Sequence, residues 1–126
     1  MIVKKKMPLT ENVFTVSMAT NLSLVINKSR YRNMLIFMPA TWTTADITFA
    51  VSSTKTGTFS KLVVAETDVT PKEIRIKDPV ASTIISLTGK VKDALEACSF
   101  IKLRSGTALT PINQDSSRTF TIILMG

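Results

Sequence analysis

The sequence predicts an all-β domain, an antiparallel β-sandwich of two sheets with one short helix. Apolar and polar side chains alternate along residues 47–52 and again along residues 100–104, as in strands that have one face in a core. About eight or nine short segments of this kind recur at roughly ten-residue spacing, separated by turn residues, which is typical of a sandwich or barrel. Apolar side chains at helical spacing occur in residues 89–97, a segment long enough for about two turns.

Five strands are expected in the first half of the chain, at residues 13–18, 21–26, 30–39, 47–52 and 58–64. The third of these ends in a continuous apolar run, which fits a central strand covered on both faces. The fourth and fifth flank a turn that contains Gly57 and are expected to pair as a hairpin.

The second half is expected to hold a charged edge strand at residues 70–77, a strand at 82–87, the helix at 89–97, and two final strands at 100–104 and 119–124. A long loop, residues 105–117, joins the final strands. The alternating strands place eight apolar residues mainly in the core: Ile47, Phe49, Val51, Leu62, Ile101, Leu103, Ile122 and Leu124.

The length of 126 residues fits one domain, which we assign to residues 11–126. Residues 1–10 are interpreted as an N-terminal arm, because Lys4, Lys5 and Lys6 cannot be buried unpaired and Pro8 interrupts any helix or ladder. A binding arm and a frayed terminus are both open readings. No apolar run approaches the roughly 20 residues of a membrane-spanning helix, and no secretion signal is recognised, so assembly in the cytoplasm is expected.

The net charge of +7 favours acidic partners, which include nucleic acid, membranes and acidic protein surfaces. The basic residues are dispersed and have few aromatic neighbours, which disfavours a single-strand nucleic-acid platform. Trp42 is interpreted as a core lid or loop anchor rather than a stacking platform. Cys98 cannot form an internal disulfide, since it is the one cysteine, and is interpreted as a structural thiol.

Catalysis is not expected. The sequence contains no histidine, which removes the usual general base and the commonest metal ligand. The four glycines are dispersed, so no phosphate-binding loop is present and no cofactor is expected. Four loop carboxylates could converge on calcium, although solvated side chains are the simpler interpretation: Asp46, Glu66, Asp68 and Asp115.

Two segments resemble a known group of proteins. Residues 45–62, ADITFAVSSTKTGTFSKL, resemble a hairpin motif of small virion proteins of tailed bacteriophages, and residues 100–122 resemble the closing motif of that group. The second motif combines Arg-Ser-Gly-Thr at 104–107 with Pro-Ile-Asn-Gln at 111–114. The architecture is also similar to the jelly roll of discoidin-like carbohydrate-binding domains. The first forty residues match neither pattern.

The resemblance implies a phage structural protein of the head decoration (cement) or auxiliary type, located in the virion and bound to the major capsid protein or other virion proteins. A homo-oligomer is expected, with no membrane as partner. A nucleic-acid binder inside the head is a third hypothesis, which rests on charge alone and is disfavoured. A carbohydrate-binding module on the tail or outer surface is the alternative, with four candidate contact residues: Tyr31, Trp42, Asn113 and Gln114.

The loop at residues 105–117 is the candidate contact surface besides the lysine arm. Leu109 and Ile112 are apolar for a loop, Asn113 can turn the backbone, and Arg104 and Arg118 flank the loop and could bind a carboxylate of a partner. The alternative is that the loop caps its own sandwich and the arginines pair internally with Asp46 or Asp115.

Overall fold

A computed structural model describes residues 11–29, 31–65 and 71–126 of the chain. These residues form an all-β fold with a single short helix, as the sequence predicts. The longer strands are β1 (Glu11–Met18), β3 (Asn33–Phe37), β4 (Ile47–Ser52), β9 (Ile84–Ser86), β10 (Phe100–Ser105) and β11 (Arg118–Met125). The two-residue strands are β2 (Ile26–Asn27), β5 (Ser60–Lys61), β6 (Val63–Val64), β7 (Lys72–Glu73) and β8 (Arg75–Ile76), and helix α1 is Gly89–Glu96.

The first sheet has four strands in the order β1-β11-β3-β9, and all of its pairs are antiparallel. β1 and β11 are joined in unbroken register from Glu11 opposite Met125 to Met18 opposite Arg118. β11 is therefore a central strand, although it is the last strand of the chain.

The second sheet has the order β2-β10-β4-β5, and β8 also pairs with β4. β10 and β4 run antiparallel from Phe100 opposite Ser52 to Ser105 opposite Ile47. The predicted hairpin of residues 47–52 and 58–64 forms through β4 and β5. β6 and β7 make a separate two-stranded ladder.

The core lies between the two main sheets, because each contributes its inward-facing set of alternating side chains. Phe120, Ile122 and Leu124 of β11 are fully buried, and so are Ile101 and Leu103 of β10. Of the eight predicted core residues, six are fully buried, and Val51 and Leu62 pack against the core while partly exposed. Helix α1 inserts Leu95, which is 0% exposed, into the same core.

Two strand predictions need correction. Leu24 is 68% exposed and does not share a face with the buried Ile26, because the register against β10 shifts by one residue between Leu22, which bridges to Arg104, and Ile26, which pairs with Ile101. The apolar run in residues 30–39 forms β3, which is central within its sheet but covered on one face. Leu35 and Phe37 are only half-buried on the other face, whereas Met34 and Ile36 lie in the core.

Lys28 is buried, with 2% of its surface exposed, although the sequence groups it with the surface basic residues. Its Nζ donates a hydrogen bond to the carbonyl oxygen of Tyr31 at 2.8 Å. Burial lowers the pKa of Lys28 below its ordinary value of 10.5, with partial opposition from Cys98 and Glu96. Burial in turn raises the pKa of Cys98 above 9.0, and the nearby Lys28 partly opposes that shift.

The burial of Lys28 predicts a pH-dependent stability. The unfolded chain binds its proton more tightly than the folded chain, so stability should rise as pH increases toward 10.5. Cys98 acts oppositely above pH 9.0, because its thiol keeps the proton longer in the folded state. In a Cys98→Ser background, urea titrations across this alkaline window should therefore show the rise, and Lys28→Met should flatten it. An equal slope in both variants would contradict the assignment.

Candidate partner-binding site

The closing loop, residues 105–117, connects the central strands of the two sheets and is tied down along its length. The peptide N–H of Ile112 donates to the carbonyl of Ser105 at 2.8 Å, and Thr107 and Thr110 close a tight turn between them. In this turn, the Thr107 N–H donates to the Thr110 carbonyl at 3.1 Å, and the Thr110 N–H donates to the Thr107 Oγ1 at 3.0 Å. The loop consequently has a fixed shape, with residues 108 and 109 at its tip.

Gly106 begins the turn in a conformation that favours glycine. Its φ is +86°, and a Cβ there would lie 2.6 Å from the carbonyl oxygen of Thr110 and 2.7 Å from the nitrogen of Ile112. Its N–H donates to Asp46 O at 2.7 Å, and its carbonyl accepts from Thr48 Oγ1 at 2.7 Å. Gly106 therefore joins the loop to the start of β4.

Gln114 anchors the other end of the loop from a buried position. Its Oε1 accepts from the N–H of Thr43 at 2.7 Å and from Nε of Arg118 at 3.1 Å. Its Nε2 donates to the carbonyl of Thr43 at 2.9 Å and to the hydroxyl of Ser105 at 2.8 Å. All four hydrogen-bonding positions of the amide are used, which ties the loop to residues 41–43.

Arg118 completes this network at the first residue of β11. Its guanidinium also donates to Thr41 Oγ1 at 2.7 Å, Ser116 Oγ at 3.0 Å and Thr43 Oγ1 at 3.1 Å. The residue is 8% exposed, and in the described part of the chain its partners are neutral groups, including the Gln114 amide. The Arg118 side chain is therefore bonded within the domain, as one reading of the sequence predicts. Its partners are not Asp46 or Asp115, which that reading named.

Arg104 is also committed within the domain. Its Nη1 lies 3.1 Å from Oε2 of Glu73, and both side chains are largely buried, at 13% and 15% exposed. The Glu73 carboxylate accepts the N–H of Ala108 as well, at 3.1 and 3.2 Å from its two oxygens. Glu73, on β7, thus links β10 to the tip of the loop. The sequence left open an internal ion pair of Arg104 with Asp46 or Asp115. Arg104 does pair internally, but its partner is Glu73.

The exposed surface of the loop centres on Leu109, which is 92% exposed at its tip. Ile112 is half-buried, and Asn113 is exposed with its Oδ1 accepting from Asn21 Nδ2 at 2.7 Å. A cavity of about 420 Å³ lies beside the tip; it is lined by Thr44, Ala45, Asp46, Asp78, Gly106, Thr107, Thr110 and Ile112. The loop therefore presents a fixed apolar tip next to a partly polar depression.

The remaining predicted contact residues fall elsewhere. Lys4, Lys5 and Lys6 lie outside the described residues. Trp42 is a loop anchor, since its ring stacks edge-on against Phe120 at 5.6 Å and its Nε1 donates to the Ala45 carbonyl at 3.1 Å.

The two candidate calcium ligands among the described residues, Asp46 and Asp115, do not belong to a cluster of acidic side chains. Asp46 accepts the Asp78 N–H at 2.9 Å and pairs with Arg75 at 3.3 Å, whereas Glu66 and Asp68 lie outside the described residues. Within the described ranges, no group of three or more acidic or cysteine side chains is placed to hold a metal. Nor does the described part of the chain contain a helix of the length and hydropathy needed to cross a bilayer.

Sequence reasoning missed the supports of the loop. Glu73 was interpreted as one charge on an edge strand, and Gln114 as a surface residue that could contact a glycan. Arg104, the partner of Glu73, is 31 residues away in the chain, and Thr43, a partner of Gln114, is 71 residues away, so no local spacing reveals these contacts. One sequence feature could have indicated this role: Gln114 is a polar residue near the predicted end of the sandwich. At such positions a buried side-chain amide commonly forms hydrogen bonds with the backbone of a loop.

The fold is similar to that in the crystal structure of the SPBc2 prophage-derived protein YomS. The TM-score is 0.57, and the match covers 96% of this chain and 97% of that chain. The two sequences are 10% identical, so the likeness concerns the fold. No family model matches the sequence, and no curated protein matches it either.

Proposed function

We propose that this protein is a bacteriophage virion structural protein, a capsid decoration protein that binds the assembled head and stabilises it. Its partner would be the major capsid protein or a neighbouring virion protein, and its role would be binding rather than catalysis. A protein that binds only the assembled shell shifts the equilibrium toward that shell by mass action. The prophage origin of a protein with the same fold and nearly the same length supports the phage assignment.

The observation that carries the proposal is the rigid presentation of Leu109. An isolated leucine that is 92% exposed gains about 1.5–3 kcal/mol when a partner buries it fully. Because hydrogen bonds to Glu73 and within the turn already hold the tip, little conformational entropy is lost on binding. These are the properties of an anchor residue that enters a pocket on a partner.

The charge of the protein supports an acidic neighbour. The net charge is +7, and Arg104 and Arg118 are used internally, so the attraction comes from other basic residues. In this arrangement the loop tip supplies apolar contact, and the dispersed lysines steer the protein to an acidic lattice.

The carbohydrate-binding alternative loses three of its candidate residues as free contacts. Trp42 packs on Phe120, Gln114 is buried with its amide fully used, and Asn113 bonds to Asn21. Tyr31 lines a cavity of about 270 Å³ with Asn12, Asn27 and Ser29, a feature that a glycan could use.

Leu109→Asp should weaken binding of the purified protein to phage heads that lack it by on the order of 100-fold or more, because a charge would be desolvated at the contact. Co-sedimentation with purified heads measures the affinity, and electron microscopy of the decorated particles locates the protein. Ile84→Asp is the matched control, since Ile84 is also exposed, at 60%, but lies on β9.

Both variants should keep the wild-type circular dichroism spectrum and unfolding midpoint. Wild-type affinity of Leu109→Asp for the heads would refute the loop as the contact. Failure of the wild-type protein to bind heads, together with retention on a glycan array that Tyr31→Ala abolishes, would favour the carbohydrate alternative.

A further inference from the structure

Strand β1 is a long edge strand whose outer side is largely open. It contains eight residues and pairs with β11 one residue to one, without a bulge. In the described part of the chain, the hydrogen bonds on its other side come from residues 23 and 24, which follow the strand. The Leu24 N–H donates to the Ser17 carbonyl at 3.0 Å, and Ser23 bridges to Met18. Among the described residues, none pairs with the outer backbone of the portion from Glu11 to Thr15.

The hydrogen bond at Ser17 also establishes which residues face outward. In a regular strand, the N–H and C=O of one residue point to the same side, and the side alternates with each residue. Since the Ser17 carbonyl points away from β11, the backbone groups of Glu11, Val13 and Thr15 point away from β11 too. These three residues form a ready template for another strand.

The other sheet edges are blunted, whereas this one is not. β9 has three residues, β2 has two, and β5 has two, one of which is Lys61. Natural edge strands are commonly protected by shortness, lysine, proline or a bulge. β1 has none of these devices, and its one charged residue, Glu11, stands at its end.

We propose that β1 pairs antiparallel with β1 of a second copy of this chain, about a two-fold axis through Val13. Val13 then faces Val13 of the partner subunit as a hydrogen-bonded pair, and Glu11 faces the partner's Thr15 on each side of the axis. Each of these outward-facing residues exchanges both of its backbone hydrogen bonds with the residue opposite. The pairing stops before Ser17, whose carbonyl is already in use.

The charges on β1 itself do not oppose this pairing, although the protein has a net charge of +7. The two Glu11 side chains sit four residues apart along the joined strands, about 13 Å, which exceeds the screening length of about 8 Å at physiological salt. No positive charge from β1 enters the interface. Among the described residues, β1 therefore brings no close like-charge pair to the joined edge.

The pairing also joins two uncharged sheet faces. Apart from Glu11, the outward-facing residues of the first sheet are neutral: Val13, Thr15, Ser17, Asn33, Leu35, Phe37, Ile84, Ser86, Thr119, Thr121, Ile123 and Met125. Val13 is 55% exposed in the single copy and would lie beside its symmetry mate in the pair. The result is one continuous eight-stranded sheet with a broad neutral face.

Analytical ultracentrifugation of the full chain, from low-micromolar to submillimolar concentration, is expected to show a monomer–dimer equilibrium. Val13→Pro should raise the dimer dissociation constant on the order of 100-fold, because it removes the central N–H of both strands, which the β1–β11 ladder does not use. Val13→Lys places a charge at the axis and should act likewise without altering the backbone. Ile84→Lys, on the opposite edge of the same sheet, should leave the dimer intact.

A cysteine series tests the register. In a Cys98→Ser background, Val13→Cys should form a disulfide-linked dimer on mild oxidation, because hydrogen-bonded antiparallel pairs have Cα atoms about 5.5 Å apart, within disulfide range. Leu24 is also exposed, at 68%, but lies outside the proposed contact, so Leu24→Cys should form a disulfide-linked dimer more slowly than Val13→Cys. Preferential linking of Thr15→Cys would overturn the register.

A wild-type protein that stays monomeric at every concentration would overturn the proposal, as would a dimer that is insensitive to both substitutions at Val13. If Val13→Pro unfolds the domain, Val13→Lys alone decides the question. The inference is independent of the proposed function. Leu109→Asp should leave dimerisation unchanged while it weakens binding to heads, so the two ideas can fail separately.

Discussion

Replacing Phe49 with alanine is expected to lower the free energy of unfolding by about 3–5 kcal/mol, the usual cost of removing a large aromatic side chain from a packed core. Phe49 is 0% exposed and lies in the middle of β4, which is paired with β10, β5 and β8. Its backbone position faces Leu103 of β10, which is also fully buried. The cavity would open between two sheets that are held by backbone ladders, so it can collapse only in part.

Urea titration followed by circular dichroism measures this loss. Phe59→Ala is the matched control, since Phe59 is half-buried near the turn and carries Lys102 at 4.6 Å over its ring. That variant should lose about 1–2 kcal/mol, from partial burial and one cation–π contact. Equal losses in the two variants would show that Phe49 is not the centre of the core.

The fold could be predicted where one face of a strand is buried along its whole length. In β4, β10 and β11 the side chains alternate between the core and the other face, and that alternation is visible in the letters of the sequence. The helix was predictable for the same reason, because Leu95 and its neighbours repeat at helical spacing. These elements supply most of the two sheets.

The division of residues 58–64 and 70–77 into two-residue strands could not be predicted, because two paired residues carry no periodic signal. Leu22, Leu24 and Ile26 alternate like a strand, but the register against β10 shifts by one residue between Leu22, opposite Arg104, and Ile26, opposite Ile101. That register depends on β10, which is remote in sequence. The burial of Lys28 has no sequence signal of its own.

The candidate site was predictable in its position but not in its chemistry. Apolar residues and turn formers in the closing loop indicated an ordered structure, and the loop is ordered by hydrogen bonds. The arginines that looked available to a partner are the ones that hold it: Arg104 to Glu73, and Arg118 to Gln114. A sequence shows that an arginine flanks a loop but not which acceptors surround it.

Gln114→Leu should destabilise the domain by about 3–4 kcal/mol. Leucine fills much of the same volume but offers no hydrogen bond, so the N–H and carbonyl of Thr43, the hydroxyl of Ser105 and Nε of Arg118 each lose a partner. Leaving a buried polar group unsatisfied costs about 1–3 kcal/mol, and partial access of water to the more exposed groups reduces the sum.

Asn113→Ala is the control for this experiment, because it removes the neighbouring amide, which is exposed and makes one side-chain bond, to Asn21. It should cost no more than about 1 kcal/mol. Thermal and urea unfolding of both variants compare the two losses, and hydrogen exchange at the Thr107 and Ile112 amides, whose backbone acceptors remain in both variants, reports whether the loop has opened. If Gln114→Leu is as stable as Asn113→Ala and protects those amides equally, the buried network does not hold the loop, and the rigid presentation of Leu109 loses its structural basis.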